Sequence, residues 1–350
     1  MSHDIDMSNN RANIAYAGKV PWHGLGSKLE PDAGLDAWRT AAGLDWEILT
    51  APIYGRPEVG EEIDCDPLKK MVLYRSDTNA PLSVMSSTQY KIVQPETILK
   101  FISDSASAMN WQMETAGSIQ GGRKIWALAN IGEEAELLDG DTVKGYLLAA
   151  TSCDGHMATQ FMFTSIRVVC NNTLGFAVND ADRAFGRNSS GKQDGQRRLA
   201  IYHSTEVDIE KVKASLGIAT QSWGLFIEKA KRLATMKLSK AKARNVLREV
   251  FERDDDDGTR IIEGKAVRIT DAQFVDQNRS CKRIMELYEG AGIGTDLKSA
   301  KGTAWGLVNA TTEYLDFENG RTADTRLRNA WFGRGDAKKR AMFDSCVEMA

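Results

Sequence analysis

Four alternating or apolar segments joined by turn-forming dipeptides constrain the fold of this chain more than any other feature. Gly121-Gly122 and Asp154-Gly155 lie between successive segments, and both dipeptides tolerate the positive φ angles of tight hairpin turns. The sequence therefore predicts an antiparallel β-meander. Its segments cover residues 111–119, 123–131, 143–152 and 157–169.

The meander is flanked by other predicted elements. Pro95 suits the first turn of a helix over 96–109, whose apolar residues recur at helical spacing. Short strands are predicted at 71–75, 82–86, 90–93 and 199–203, and helices at 240–253, 271–289, 303–317 and 336–348. We therefore predict an α+β fold: a central antiparallel β-meander packed on a helix, with a mainly helical C-terminal region.

Composition divides the chain into three parts. Residues 1–66 form a Gly/Pro/Trp-rich acidic segment, with five Lys and Arg against twelve Asp and Glu. Residues 67–205 hold the meander, and residues 206–350 form the helical region. Residues 179–198 carry little that could enter a core, and we expect an exposed loop there.

Positive charge is concentrated in two stretches, although the formal net charge of the chain is −3. Residues 226–252 hold eight basic and three acidic residues, and residues 321–343 hold seven basic and two acidic ones, so each stretch has a net charge of +5. Such a distribution excludes a uniformly basic protein but allows a local positive groove.

Several classes of protein are excluded or disfavoured. The chain has no long apolar window and a polar N-terminus, so we expect no membrane span and a cytoplasmic location. Five cysteines without a CxxC pair and four scattered histidines predict no metal site, and no cofactor is expected. The glycines at 290–294 follow a helix rather than a strand, which favours helix capping over nucleotide binding.

A polar cluster at the end of the last meander strand is one candidate site. It consists of Cys170, Asn171, Asn172 and Thr173, and His203 could serve as a base for a Cys170 nucleophile. The alternative is structural, since free cysteines are commonly buried and Asn-Asn-Thr is ordinary turn chemistry.

Basic residues form the other candidate site. Those near the meander could contact phosphates, and the C-terminal tail interleaves arginine with aromatic residues, as single-strand binders do. The alternative is that Trp331 anchors the core and the arginines are solvated. The candidates are Arg123, Lys124, Lys144, Arg167, Arg197, Arg198, Arg326, Arg328, Trp331 and Arg334.

Five segments of this sequence resemble a known family, the domain of unknown function 932 of phages and plasmids. They are IQGGRKIWALANI, SIRVVCNNTL, LAIYHST, GTAWGLVNATTEYLD and DTRLRNAWFGRG. The resemblance covers roughly residues 11–343 and implies a mobile-element origin and a cytoplasmic setting in a bacterial host cell, but no catalytic residue. At the level of topology, the helix and meander are also similar to phage single-strand annealing proteins of the RecT and Erf kind.

Two functions follow as hypotheses. The first is ATP-independent binding and annealing of single-stranded DNA by a homo-oligomer, in recombination or replication of a mobile element. The alternative is an enzyme that acts on a nucleotide or nucleic acid near Cys170 and His203, or a protein that interferes with host defence. A non-catalytic inhibitor of a host protein is a third possibility.

Overall fold

The described residues form an α+β fold with mostly antiparallel sheets, which confirms the predicted fold class. The structure is a computed structural model, which describes residues 5–18, 24–155, 157–167, 173–175, 198–201, 203, 221–252, 259–262, 265–320 and 334–350. Its strands are β1 (Ile14–Ala17), β2 (Ser27–Leu29), β3 (Ile48–Ala51), β4 (Tyr54–Gly55), β5 (Ile63–Asp64), β6 (Lys70–Arg75), β7 (Pro81–Ser86), β8 (Gln112–Ile119), β9 (Lys124–Glu136), β10 (Thr142–Ser152), β11 (Thr159–Arg167), β12 (Thr173–Gly175), β13 (Arg198–Ile201), β14 (Thr259–Ile262) and β15 (Lys265–Arg268).

The helices of the described residues fall before and after the meander. Two π-helical segments, Leu287–Ala291 and Tyr314–Glu318, continue helices in the C-terminal part. The α-helices are α1 (Leu35–Ala41), α2 (Pro95–Met109), α3 (Gln221–Thr235), α4 (Lys240–Phe251), α5 (Asp271–Gln277), α6 (Arg279–Glu286), α7 (Ala304–Glu313) and α8 (Arg334–Glu348).

The predicted meander forms the centre of the main sheet. β8, β9, β10 and β11 are neighbours in that order, and β12 and β13 both pair with β11. The β8–β9 turn contains Gln120, Gly121 and Gly122, all with positive φ, and Gly155 has a φ of 75° after β10. The Gly121-Gly122 turn is therefore confirmed, whereas Asp154-Gly155 lies in a six-residue connection between β10 and β11 and not in the tight turn predicted there.

Two N-terminal strands that the sequence did not predict extend this sheet. β1 pairs antiparallel with β8, with Ile14 opposite Gly117, and β2 lies parallel to β1. A Cβ atom at Gly117 would lie 2.7 Å from the Asn13 carbonyl oxygen, so only glycine allows β1 to approach so closely.

Helix α2 packs on the sheet as predicted. Its buried face carries Phe101, whose ring centroid lies 4.3 Å from that of Phe161 on β11. Asn110 ends the helix in the left-handed conformation, and Trp111 then packs edge-on against Phe163. These aromatic contacts fix the helix against the centre of the meander.

Two local predictions are wrong. Residues 90–93 form no strand, because the Tyr90 ring stacks on His203 and the Lys91 N–H donates to the His203 carbonyl. The helix predicted over 271–289 is broken at Asn278, which adopts an extended conformation and caps α6 with its side chain. The capping box of Thr270 and Gln273 and the Ser239 cap are confirmed.

The remaining strands form small sheets. β3, β6 and β7 make a three-stranded antiparallel sheet, while β4 pairs with β5 and β14 with β15.

The loop predicted at 179–198 lies outside the described residues apart from Arg198.

By its contacts the chain forms two compact units. Unit 1 comprises residues 1–132, 146–163 and 177–220, and unit 2 comprises residues 133–145, 164–176 and 221–350. The three-part division made from composition stays a prediction. No described helix is long and apolar enough to cross a membrane.

Candidate nucleic-acid interface

Helices α3 and α4 of unit 2, with the segment between them, carry six exposed cations, which we call the basic surface. Helix α3 buries Trp223, Phe226 and Leu233 on one side, and this amphipathic pattern leaves its cations on the other. The basic surface consists of the exposed residues Lys229, Lys231, Arg232, Lys237, Lys240 and Lys242.

Few negative groups neutralise this surface. Among the described residues, only Lys240 of the six forms an ion pair, to Glu289 at 3.0 Å. The Lys237 ammonium donates to the Lys301 carbonyl at 3.3 Å, which brings another exposed lysine beside the surface. Exposed positive charges with so few counter-charges attract anions.

Arg248 belongs to the same basic stretch but points inward. Its guanidinium donates to both carboxylate oxygens of Glu252, at 2.9 to 3.1 Å, and to the Ile269 carbonyl at 2.7 Å. It also pairs with Asp271 at 3.2 Å. Its charge therefore joins α4 to α5 and is not available to a phosphate.

The described basic residues of the meander do not form one track. Arg123 is exposed in the β8–β9 turn, whereas Lys124 is buried and its ammonium donates to Gln120. Lys144 lies in unit 2 and pairs with Glu134 at 3.0 Å. Arg167 and Arg198 belong to strands β11 and β13, but their side chains, and Arg197, lie outside the described part.

The second basic stretch is largely internal where it is described. The Lys339 ammonium is buried and pairs with Asp316 at 2.7 Å, and Arg340 pairs with Asp336 at 3.2 Å. Arg334 is exposed at the start of α8. The predicted tail residues Arg326, Arg328 and Trp331 lie outside the described residues.

Of the residues of the predicted enzyme site, His203 is the one whose side chain the structure describes. Its ring stacks on Tyr90 with centroids 4.7 Å apart, and Nδ1 lies 3.0 Å from the Lys91 carbonyl oxygen. Burial lowers its pKa, against the opposing effect of the hydrogen bond to Lys91. These contacts make His203 part of the packing that holds the segment after β7.

The side chains that were predicted to form a site with His203 lie outside the described part of the structure. Cys170, Asn171 and Asn172 lie outside the described residues, and Thr173 begins β12 without a described side chain. The catalytic interpretation therefore stays a prediction. Within the described ranges, no group of three His, Cys, Asp or Glu side chains is arranged to hold a metal ion.

A polar stripe on the buried helix α7 and the π segment after it was not predicted from the sequence. Asn309, Glu313 and Asp316 recur at i, i+4 and i+7, which was the available signal. The Glu313 carboxylate accepts the Ile293 N–H at 3.0 Å, and Asp316 holds Lys339. The Glu313 carboxylate thus holds the glycine loop at 290–294 by a hydrogen bond. This agrees with the structural role that was predicted for the loop in preference to nucleotide binding.

Comparison with known proteins identifies the family. The model of the domain of unknown function DUF932 matches residues 81–331, more than half of the chain. The chain belongs to this family. The matched region includes α3, α4 and α7, so both the basic surface and the polar stripe lie within the DUF932 domain.

Other comparisons add no relative. No curated protein and no solved structure matches the chain. The topological resemblance to phage annealing proteins and the mobile-element origin therefore stay predictions.

Proposed function

We propose that this DUF932 protein binds single-stranded DNA and anneals complementary strands without ATP, as part of the recombination or replication of a phage or other mobile element. The observation that carries the proposal is the basic surface of α3, α4 and the segment between them, where six exposed cations have one described ion pair among them. Phosphates that contact such a surface release condensed counterions, which drives binding without sequence specificity.

The chemistry of the surface favours backbone contacts. Five of its six members are lysines, whose flexible ammonium groups act as point charges toward phosphates. The aromatic residues of α3, Trp223 and Phe226, are buried and offer no stacking platform for bases. A strand held by its phosphates alone leaves its base edges free to pair, which is what annealing requires.

The binding test is a fluorescence anisotropy titration with labelled oligo-dT between about 50 and 200 mM salt. We expect the wild-type affinity to fall steeply with salt. The variant K229A/K231A/R232A should bind more weakly, and its log–log salt slope should be smaller by about 2, because each phosphate contact to a single strand contributes about 0.7.

A matched control removes the same number of charges elsewhere. Lys28, Lys70 and Lys100 are exposed lysines of unit 1, and K28A/K70A/K100A should leave the salt slope unchanged. Equal losses in both triple variants would contradict the basic surface as the binding site. No binding by the wild-type chain at the lowest salt would contradict the proposal altogether.

Annealing is measured separately, by fluorescence transfer between complementary labelled strands without nucleotide. The wild-type chain should accelerate pairing and K229A/K231A/R232A should not. Binding without acceleration would leave a DNA-binding protein and remove annealing from the proposal.

A further inference from the structure

The segment 52–68 of unit 1, which we call the acidic arm, exposes an unusual amount of apolar surface. It consists of the β4–β5 hairpin and the short helical turn that follows it. Four large apolar residues are well exposed there: Tyr54 at 58%, Val59 at 91%, Ile63 at 56% and Leu68 at 67%. Clustered exposed apolar residues mark surfaces that a partner covers.

The acidic arm also carries strong negative charge. Glu58, Glu61 and Glu62 are exposed near its tip. Between residues 52 and 68 there are five acidic residues and one basic residue, Arg56, which gives a net charge of −4. Its partner therefore needs a positive surface with some apolar character, and anionic surfaces such as nucleic acid or an acidic membrane are repelled.

The same chain contains a surface of that kind. On α3, the exposed residues Leu225, Lys229 and Arg232 recur at i, i+4 and i+7, so an apolar side chain lies in line with two cations. Lys231 and Lys242 add further positive charge within the basic surface. Its charge and its apolar content are complementary to those of the acidic arm.

We propose that the acidic arm of one copy docks on the basic surface of a second copy. The two surfaces belong to different parts of the chain, so each copy offers one of each, and the contact either closes a two-fold pair by reciprocal docking or continues head to tail. The apolar residues of the arm contribute burial, and the opposite charges set register and association rate. The docking does not depend on the proposed DNA binding, although it would compete with DNA for the basic surface.

The test is a charge swap followed by sedimentation velocity with the full chain. At low salt the wild-type chain should form concentration-dependent oligomers that dissociate as salt rises, since screening weakens charged contacts. The arm variant E61K/E62K and the surface variant K229E/R232E should each weaken association by about tenfold or more. The neutral variant E61Q/E62Q should weaken it less.

Mixing the two charge-reversed variants is the decisive step. The intact basic surface of E61K/E62K meets the intact acidic arm of K229E/R232E, and the two reversed surfaces also attract each other. We expect the mixture to regain oligomers that neither variant forms alone, with circular dichroism spectra like that of the wild type. A wild-type chain that is monomeric at every salt concentration, or a mixture that stays monomeric, would overturn the proposal.

The oligo-dT titration separates this inference from the proposed function. E61K/E62K retains the basic surface and should bind oligo-dT at least as tightly as the wild type. If no variant binds DNA but the mixture assembles, the docking stands and the proposed function fails. If DNA binds and the mixture stays monomeric, the reverse holds.

Discussion

At the residue scale, the guanidinium of Arg75 is the most constrained charge in unit 1. It is buried and pairs with Asp6 at 2.6 Å and with Asp77 at 2.7 Å. It also lies over the Trp46 ring, 4.3 Å from the centroid, and donates to the Gly121 carbonyl at 3.3 Å. One side chain thus joins the N-terminal segment, β6 and the β8–β9 turn.

The carboxylate of Asp6 depends on this arrangement. Burial by itself raises its pKa, but hydrogen bonds from Ser8, Asn13 and Arg75 outweigh burial and lower the pKa below its ordinary value. Asp77 has a lowered pKa chiefly because of the hydrogen bond from Arg75. A lowered folded-state pKa contributes stability that is present above the unfolded-state pKa, about 3.9, and is lost as the pH falls through the folded-state pKa.

We expect Arg75→Met to lower the free energy of unfolding by about 3–5 kcal/mol at pH 7, because it leaves the buried Asp6 carboxylate without its cation. The difference from the wild type should shrink as the pH falls, because without Arg75 the burial of Asp6 is less opposed and its carboxyl takes up a proton at a higher pH than in the wild type. Urea denaturation from pH 7 to pH 3 measures both effects.

The Arg11–Asp45 pair is a suitable control, since its atoms are 3.8 Å apart and both side chains are exposed. Arg11→Met should cost less than about 1 kcal/mol. Equal effects of the two substitutions would show that burial of the Arg75 network does not matter for stability.

At the element scale, helix α7 is the core of unit 2, because all ten of its residues are buried. Thr303 caps its N-terminus by accepting the Gly306 N–H, and Trp305 donates to the buried Asp141 at 3.2 Å. A Cβ atom at Gly306 would collide with the carbonyl of Ala300. The helix therefore requires glycine there for packing rather than for backbone conformation.

We expect Gly306→Ala to destabilise the chain by about 1–3 kcal/mol through overpacking, although alanine is the better helix former. Gly224 on α3 is a matched helical glycine, and no atom of the described part of the chain lies within 4 Å of its added Cβ. Gly224→Ala should therefore stabilise the chain by about 0.5–1 kcal/mol. Thermal melts of both variants decide the matter, and effects of the same sign would contradict the packing argument.

At the scale of the whole molecule, the sequence predicted those features of the fold that depend on residues close together along the chain. The alternation of β8–β11, the Gly-Gly turn and the helix caps depend on neighbours along the chain, and all were assigned correctly. The pairing of β1 with β8 was missed because it joins residues about a hundred positions apart through a strand of four residues. Such pairing leaves little periodic signal.

The candidate site was predicted less completely, for a related reason. The sequence shows a net charge of +5 for 226–252 and for 321–343, but it does not reveal that Arg248 in the first stretch and Lys339 in the second are neutralised by carboxylates on other elements. Lys124 occupies a strand position that faces the interior, which charge alone did not reveal. The exposed part of a charged stretch is set by tertiary packing.

Buried thiols allow the unfolding of the two units to be compared in one sample. Cys153 belongs to unit 1, whereas Cys281 and Cys346 belong to unit 2, and burial raises the pKa of each to about 12. All three should resist alkylation in the native chain at neutral pH, since the thiolate is the reactive form. The half-buried Cys65 should react readily and serves as the internal standard.

Strands β9, β10 and β11 each contribute residues to both units, so neither unit can lose its strands without disrupting elements of the other. We therefore expect Cys153, Cys281 and Cys346 to become reactive at one common urea concentration, as in a cooperative transition. Arg75→Met should shift all three midpoints together, although it lies in unit 1. Mass spectrometry of alkylated peptides measures each midpoint, and a shift confined to Cys153 would mean that the units unfold independently.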